Sequence, residues 1–131
     1  MMDHLLGLNP VLVTKITAVL AQMQESGQPM IVVQGVRTAD YQHSLWLKGR
    51  DPAHPGPTVT NCDGYHIKSR HQVAPDGLGR AVDCAFTGPD PFNLHHPWAA
   101  YGAAVEAQGL VWGGRFSHPI DLDHAELPTV A

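Results

Sequence analysis

The chain is 131 residues long, with 44% apolar residues and well dispersed charges, which suits one domain with its own core and is too short for two ordinary ones. Eight Lys and Arg against 12 Asp and Glu give a formal charge of −4, leaving no electrostatic footprint for nucleic acid and excluding a phosphate-binding role.

Leu5-Leu6-Gly7-Leu8 is apolar, but Asp3 precedes it, no basic region accompanies it and Asn9-Pro10 interrupts it. Neither a signal peptide nor a membrane span is expected. Asn9 then Pro10 is a cap followed by a residue pre-set for the first helical turn, and Val13, Ile16, Val19, Leu20 and Met23 recur at helical spacing up to Gly27. The spacing predicts a helix over about 10–26 whose apolar stripe packs on the core. Met30-Ile31-Val32-Val33, bounded by Pro29 and Gly35, reads as a buried strand. Thr38 caps a helix predicted from Ala39 to Lys48, which Gly49 ends.

Most of the 13 Gly and 11 Pro fall between residues 49 and 97, so the middle of the chain should be rich in loops, where sites usually lie. The segment from Asp51 to Tyr65 is expected to cross toward such a site. Ala81 to Phe86 looks like a central strand. Pro97 opens a third helical pattern through Trp98, Tyr101, Val105 and Gln108, ended by Gly109. Leu110 to Gly114 and Asp121 to Leu127 suggest two further extended pieces. Helices and strands mixed without regular alternation favour an α+β fold over a doubly wound one.

Cys62 and Cys84 lack C-x-x-C spacing and are too few for a disulfide framework, so reduced thiols are expected, with a single bridge between them as the alternative. Of the nine His, His4, His43, His54, His95 and His96 lie in polar or Pro-flanked surroundings and read as solvated surface groups. His71, Asp83 and His124 are different, because each sits in a local pattern that suits a zinc ligand. Two imidazoles and one carboxylate would hold a zinc ion and leave its fourth position to water, the arrangement a hydrolase needs. Asp121 stands three residues before His124, so one segment can present both a general base and a ligand.

These residues resemble the LAS-type zinc peptidases (peptidase M15), which comprise D-alanyl-D-alanine carboxypeptidases, D-alanyl-D-alanine dipeptidases and the L-alanyl-D-glutamate endopeptidases of bacteriophages. The resemblance covers roughly residues 30–127. Its motifs are matched by Ser69-Arg70-His71, Gly79-Arg80-Ala81-Val82-Asp83 and Asp121-Leu122-Asp123-His124, a set specific only in combination. Gln34-Gly35-Val36-Arg37-Thr38 with Gln42, the later Gly49-Arg50, and Trp112-Gly113-Gly114 add to it. The resemblance implies a small antiparallel sheet flanked by helices with the zinc site at the sheet, as in hedgehog and D-Ala-D-Ala peptidases. It further implies that Arg37 faces the reacting carbonyl and stabilises its oxyanion, that Gln42 assists in substrate binding, and that Ser69 binds substrate backbone.

The chain departs from the family pattern in one place. Eleven residues, Gln72 to Val82, separate the first His from the Asp, with Val73 to Leu78 as an apparent insertion whose Pro75, Asp76 and Gly77 mark a turn. That turn is expected to leave the ligands in place and to shape the cleft, with Asp76 a competing ligand. Plain structural alternatives stand beside these roles. Asp83 can be a buried partner of Arg37, and His71 can simply bond its loop. Asp123 is a rival base, disfavoured because on a strand it would point away from the face of His124. His66 and His118 lie near the motifs as weaker candidates for substrate contact.

The resulting expectation is a zinc-dependent monomer that hydrolyses stem peptides of bacterial peptidoglycan. Within the resemblance it looks most like a phage or prophage endolysin of the L-alanyl-D-glutamate type, accumulating in the host bacterial cytoplasm and reaching the wall after release. The first alternative is a D-alanyl-D-alanine carboxypeptidase, which needs a cation for the substrate's terminal carboxylate, supplied by Arg50, Lys68, Arg70 or Arg115. The second is a non-catalytic zinc-stabilised module that binds the wall or a phage structure.

Overall fold

A computed structural model of the chain describes residues 3–117 and 119–129. The first helix, α1, spans Pro10–Glu25, and the Asn9 side chain accepts from the Val11 N–H at 2.8 Å. Leu12, Ile16, Val19 and Met23 are its buried residues. The stripe is thus centred on Leu12 rather than Val13, which with Leu20 packs half-buried along its flank. Strand β1 is Met30–Gln34 and helix α2 is Ala39–Leu47, where the Thr38 hydroxyl accepts from the Tyr41 N–H. Strand β2 is Ala81–Phe86, helix α3 is Trp98–Ala107, and strand β3 is Val111–Trp112. A short turn of 3₁₀ helix, Gly113–Arg115, precedes strand β4, His124–Glu126.

The four strands lie in the order β1-β2-β4-β3, every neighbour antiparallel. The fold is therefore α+β with a small antiparallel sheet. Only β2 is buried along its whole length. The strand expected to be buried, Met30 to Val33, is instead the sheet's edge, with Ile31 half exposed. A β-branched run signals a strand but carries no information on its place in the sheet.

Pleating divides β2 between two environments. Val82, Cys84 and Phe86 join Leu12, Ile16, Val19, Tyr101 and Val105 in the core. Burying each of the larger apolar side chains there stabilises the fold by about 1.5–3 kcal/mol. Asp83 points to the opposite face, under the loops. In β4, Ala125 joins the core while His124 and Glu126 take the loop face with Asp83.

Two irregularities in the strands serve that face. Val32 pairs with Cys84 and Gln34 with Asp83, so Val33 is an extra residue in β1, and this bulge sets Gln34 beside Asp83. The extended piece expected from Asp121 forms a strand only from His124, and residues 121–123 make a turn instead. Three hydrogen bonds capture the backbone of that turn: Tyr101 donates its hydroxyl to the Asp123 carbonyl (2.9 Å), Trp112 donates Nε1 to the Leu122 carbonyl (2.8 Å), and Asp121 N donates to the Gly113 carbonyl (2.9 Å). A Cβ at Gly113 would collide with the Asp121 carbonyl oxygen and lie 2.8 Å from the His124 Cβ, so only glycine lets the turn close this tightly. No helix among the described residues is long and apolar enough to cross a membrane.

The two thiols are free, with Cys84 in the core. Two of the histidines read as solvated have packing roles instead. His96 stacks on Phe86 with ring centroids 4.5 Å apart, and His43 bonds the Asp63 carbonyl and stacks against Trp46.

Candidate metal centre and active-site cleft

Asp83 and His124 are direct cross-strand partners in the β2–β4 ladder, so the sheet register alone places a carboxylate beside an imidazole. His71 arrives from the loop side and is almost fully buried. Its Nε2 lies 3.2 Å from Asp83 Oδ1 and 3.2 Å from His124 Nδ1, and His124 Nδ1 lies 3.4 Å from Asp83 Oδ1. Three ligands at about 2.0–2.2 Å from a tetrahedral zinc ion would be separated by roughly 3.3–3.6 Å. The three donor atoms match that triangle closely.

The outer partners of both rings support the same use. The Gly35 carbonyl can only accept, so His71 donates Nδ1–H to it at 2.9 Å and turns the lone pair of Nε2 inward. The Glu126 carboxylate accepts from His124 Nε2 at 2.8 Å and aims Nδ1 at the triangle. Glu126 is itself held by Arg70, whose Nε donates at 2.9 Å and whose Nη2 reaches the Leu127 carbonyl at 2.6 Å. An imidazole oriented by a carboxylate or carbonyl in this way is the usual outer shell of a metal-ligating histidine. Burial alone would lower the pKa of His124, but Asp83 and Glu126 outweigh it and raise it to about 9. Surroundings that favour a proton there favour any cation.

Burial likewise would raise the Asp83 carboxyl, yet hydrogen bonds from His124 and His71 hold it well below the ordinary carboxylate range. Its second oxygen, Oδ2, accepts from Arg37 Nη2 at 3.1 Å. Asp83 therefore faces the triangle and pairs with Arg37 at once, and the two readings of this residue are compatible. Arg37 also donates Nε to Gln34 Oε1 (2.7 Å) and Nη1 to Gln42 Oε1 (3.0 Å). The sequence readings had not singled out Gln34 as a partner for Arg37, nor Glu126 as one for His124. Glu126 could have been found, since a residue two positions after a ligand on a strand shares its face.

The triangle forms part of the wall of an open cleft of about 420 Å³ that Arg37, Ser69, Asp121, Asp123, Phe116 and Glu126 also line. Asp121 is at its rim, with its side chain 43% exposed and Oδ2 3.7 Å from His124 Nδ1. Because residues 121–123 form a turn, Asp123 does not point away as a strand would require, and donor oxygens of Asp83, Asp121 and Asp123 fall within 4.8 Å of one another. Burial, then a hydrogen bond and the charges of neighbouring Asp83 and Asp121, push the Asp123 carboxyl up to about 9.

Ser69 lines the cleft and its Oγ accepts from the His71 N–H at 3.1 Å. Gln42 does not line it. Its side chain is fully buried behind Arg37, with the amide donating to Thr60 Oγ1 and to the Cys62 carbonyl, which gives it the place of a support. Of the four cations considered for a substrate carboxylate, only Arg70 lines the cleft. Arg50 is spent on the Trp46 and Thr60 carbonyls, Arg115 pairs with Glu106, and Lys68 faces a neighbouring cavity. Asp76 turns its carboxylate to the Leu78 N–H and has no part in the metal triangle. His66 is exposed and pairs with Asp63, while His118 lies outside the described residues.

No protein-family profile matches the chain. Solved structures do. The L-Ala D-Glu endopeptidase ChiX of Serratia marcescens superposes with a TM-score of 0.58 at 23% identity, over 95% of this chain and 84% of that one. The LD-carboxypeptidase LdcB, whose structure addresses peptidoglycan recognition, gives 0.66 at 18% identity, over 96% of this chain and 68% of its own. DacB of Streptococcus pneumoniae gives 0.50 at 18% identity, over 96% and 69% respectively. The chain thus shares its fold with these three structures, in keeping with the α+β fold expected from its sequence.

Proposed function

We propose that the protein is a single-domain, zinc-dependent peptidase of peptidoglycan stem peptides, an endolysin of phage or prophage origin that cleaves the L-alanyl-D-glutamate bond. The observation that carries this reading is the donor triangle of His71, Asp83 and His124 in the wall of an open cleft. A structural zinc site is normally closed by a fourth protein ligand, whereas these three open onto space large enough for a peptide. The fold is shared with both an L-Ala D-Glu endopeptidase and an LD-carboxypeptidase, and the higher identity and fuller coverage of the endopeptidase, 23% and 84% against 18% and 68%, support the choice of bond.

His71, Asp83 and His124 would hold the zinc ion, which when bound supplies Lewis acidity toward a carbonyl and toward water. The rest falls to the chain's own side chains. Asp121, at the rim, takes the proton of the water that attacks the peptide carbon and returns it to the leaving amine. Arg37 stabilises negative charge developing on the carbonyl oxygen. Three of its five N–H groups are fixed by Gln34, Gln42 and Asp83, which holds the plane of the guanidinium and leaves two donors for substrate. Losing one such donor costs about 3 kcal/mol in comparable oxyanion sites. Ser69 hydroxyl, whose oxygen already accepts from His71, keeps its proton to donate to the substrate backbone.

Mass spectrometry of purified peptidoglycan incubated with the zinc-loaded protein tests this reading, with His124→Ala as control. New free D-glutamate amino termini, with L-alanine left on the glycan side, are expected. Release of single D-alanine would instead make the protein a carboxypeptidase. No product from a protein shown to carry one zinc would favour the binding-module alternative.

A further inference from the structure

Beside the cleft lies a second cavity of about 360 Å³, lined by Lys68, Ser69, Arg70 and Arg80 together with Val73, Ala74 and Pro75 of the inserted turn. Ser69 and Arg70 line both cavities, so the two are contiguous. Three of the chain's eight Lys and Arg side chains converge here, and no carboxylate is among the lining residues. In a protein of formal charge −4 this is the reverse of the average surface.

Two of these three cations are free of a carboxylate partner. Arg37, Arg70 and Arg115 each have a carboxylate partner, whereas among the described residues Lys68 and Arg80 form no ion pair. The inserted turn closes on itself, with Ala74 N donating to the Leu78 carbonyl (2.9 Å) and Gly77 N to the Ala74 carbonyl (2.8 Å). Asp76 spends its carboxylate on the Leu78 N–H within that turn, and it does not line the cavity. The insertion therefore adds apolar lining to the cavity that holds the cations. A concavity that gathers several cations attracts a carboxylate more strongly than the same side chains dispersed over an open surface.

We propose that this cavity is a subsite for a carboxylate of the substrate that is not part of the scissile bond. The inference rests on the stem-peptide reading above, in which a γ-linked glutamate next to the cut carries such a free α-carboxylate. Lys68 and Arg80 supply the charge, and Arg70 joins the subsite to the cleft.

The test uses the zinc-loaded, ¹⁵N-labelled protein and a γ-linked D-glutamyl-glycine amide, which contains no alanyl bond to cut. Two forms of this probe are compared, one with the α-carboxylate free and one with it amidated. The free acid is expected to shift the amide resonances of residues 68–80 and to bind about tenfold more tightly than the amide. In the Lys68→Gln, Arg80→Gln double variant that preference falls to near one, and in Lys68→Arg, Arg80→Lys it returns. Equal binding of acid and amide by the unaltered protein overturns the subsite, as does a preference that survives in the double variant. Shifts at 68–80 from a protein that cuts no peptidoglycan would keep the subsite and sink the peptidase reading.

Discussion

The two sides of the metal triangle are built by different means. On the sheet side, Asp83 and His124 are fixed by the β2–β4 ladder, by the core beneath Val82, Cys84 and Ala125, and by a turn tied to Tyr101 and Trp112. On the loop side, residues 49–78 contribute no strand or helix, yet His71 is nearly as buried as the central residues of the sheet. It is held by single bonds: its ring to the Gly35 carbonyl, its N–H to Ser69 Oγ, and its own carbonyl to the Arg37 N–H at 2.8 Å. Backbone pairing is cooperative and local hydrogen bonds are not, so the loop half should open at lower free energy than the sheet half. A cation held by all three side chains would join the stable half to the labile one.

The largest expected effect comes from removing the sheet residue that also holds Arg37. Asp83→Ala takes a ligand from the triangle and strands Arg37, whose side chain is only 14% exposed, without its buried counter-charge. Breaking such a pair costs about 3–5 kcal/mol. Urea unfolding should show a loss of that order together with loss of bound zinc. Stability unchanged within about 1 kcal/mol, against an error of that size in extrapolation, would mean that Asp83 does not anchor the site.

Chelation separates the halves without mutation. A ligand present at about a hundredfold over its dissociation constant stabilises by about 2.7 kcal/mol. After zinc is stripped, hydrogen exchange should accelerate at the amides of residues 69–72, while the β2 amides that pair within the sheet keep most of their protection. Equal acceleration in both would show that the sheet, too, depends on the metal.

Glu126→Gln probes the sheet side from the second layer. The carboxylate that orients His124 is replaced by an amide of nearly the same shape, and such outer partners are worth about 10–100-fold in metal affinity. Competition with a chromophoric chelator should show that loss. The folded state should be perturbed less than by Asp83→Ala, because Arg70 is partly exposed and retains the Leu127 carbonyl.

The same division explains what the sequence could reveal. Ligands on the sheet sit in short, self-contained patterns. Ala81 to Phe86 declares itself a strand, and the Asp-x-x-His segment declares a candidate ligand though not the turn that leads to it, so Asp83 and His124 are legible while the turn at 121–123 is not. The edge position of β1 is not, because Met30-Ile31-Val32-Val33 looks the same wherever the sheet puts it. Nor is the bulge at Val33 legible, although it brings Gln34 to Arg37. On the loop side the motif around His71 is readable but its supports are not. Gln42 was expected at the substrate and lies buried, because its partners Arg37, Thr60 and Cys62 meet only through the path of a long loop.

The smallest expected effect falls on the insertion, where the loop side can be strained without touching the metal. Gly77 has φ +82 and nothing within 4 Å of the Cβ it lacks, so Gly77→Ala meets no steric neighbour and is penalised only by its backbone conformation. That penalty is about 1–2 kcal/mol for an L-residue in the left-handed region. Thermal unfolding should report a drop of this size if the turn is an integral part of the folded unit. If instead it is a local excursion that frays independently, the strain is relieved by opening the Ala74–Leu78 turn, and the melting temperature barely moves. Zinc content should be retained in either case, since Asp76 is no ligand and the turn hangs outside the triangle. A loss of zinc here would contradict the idea that the ligands are held by Gly35, Ser69 and the sheet rather than by the chain that links His71 to Asp83.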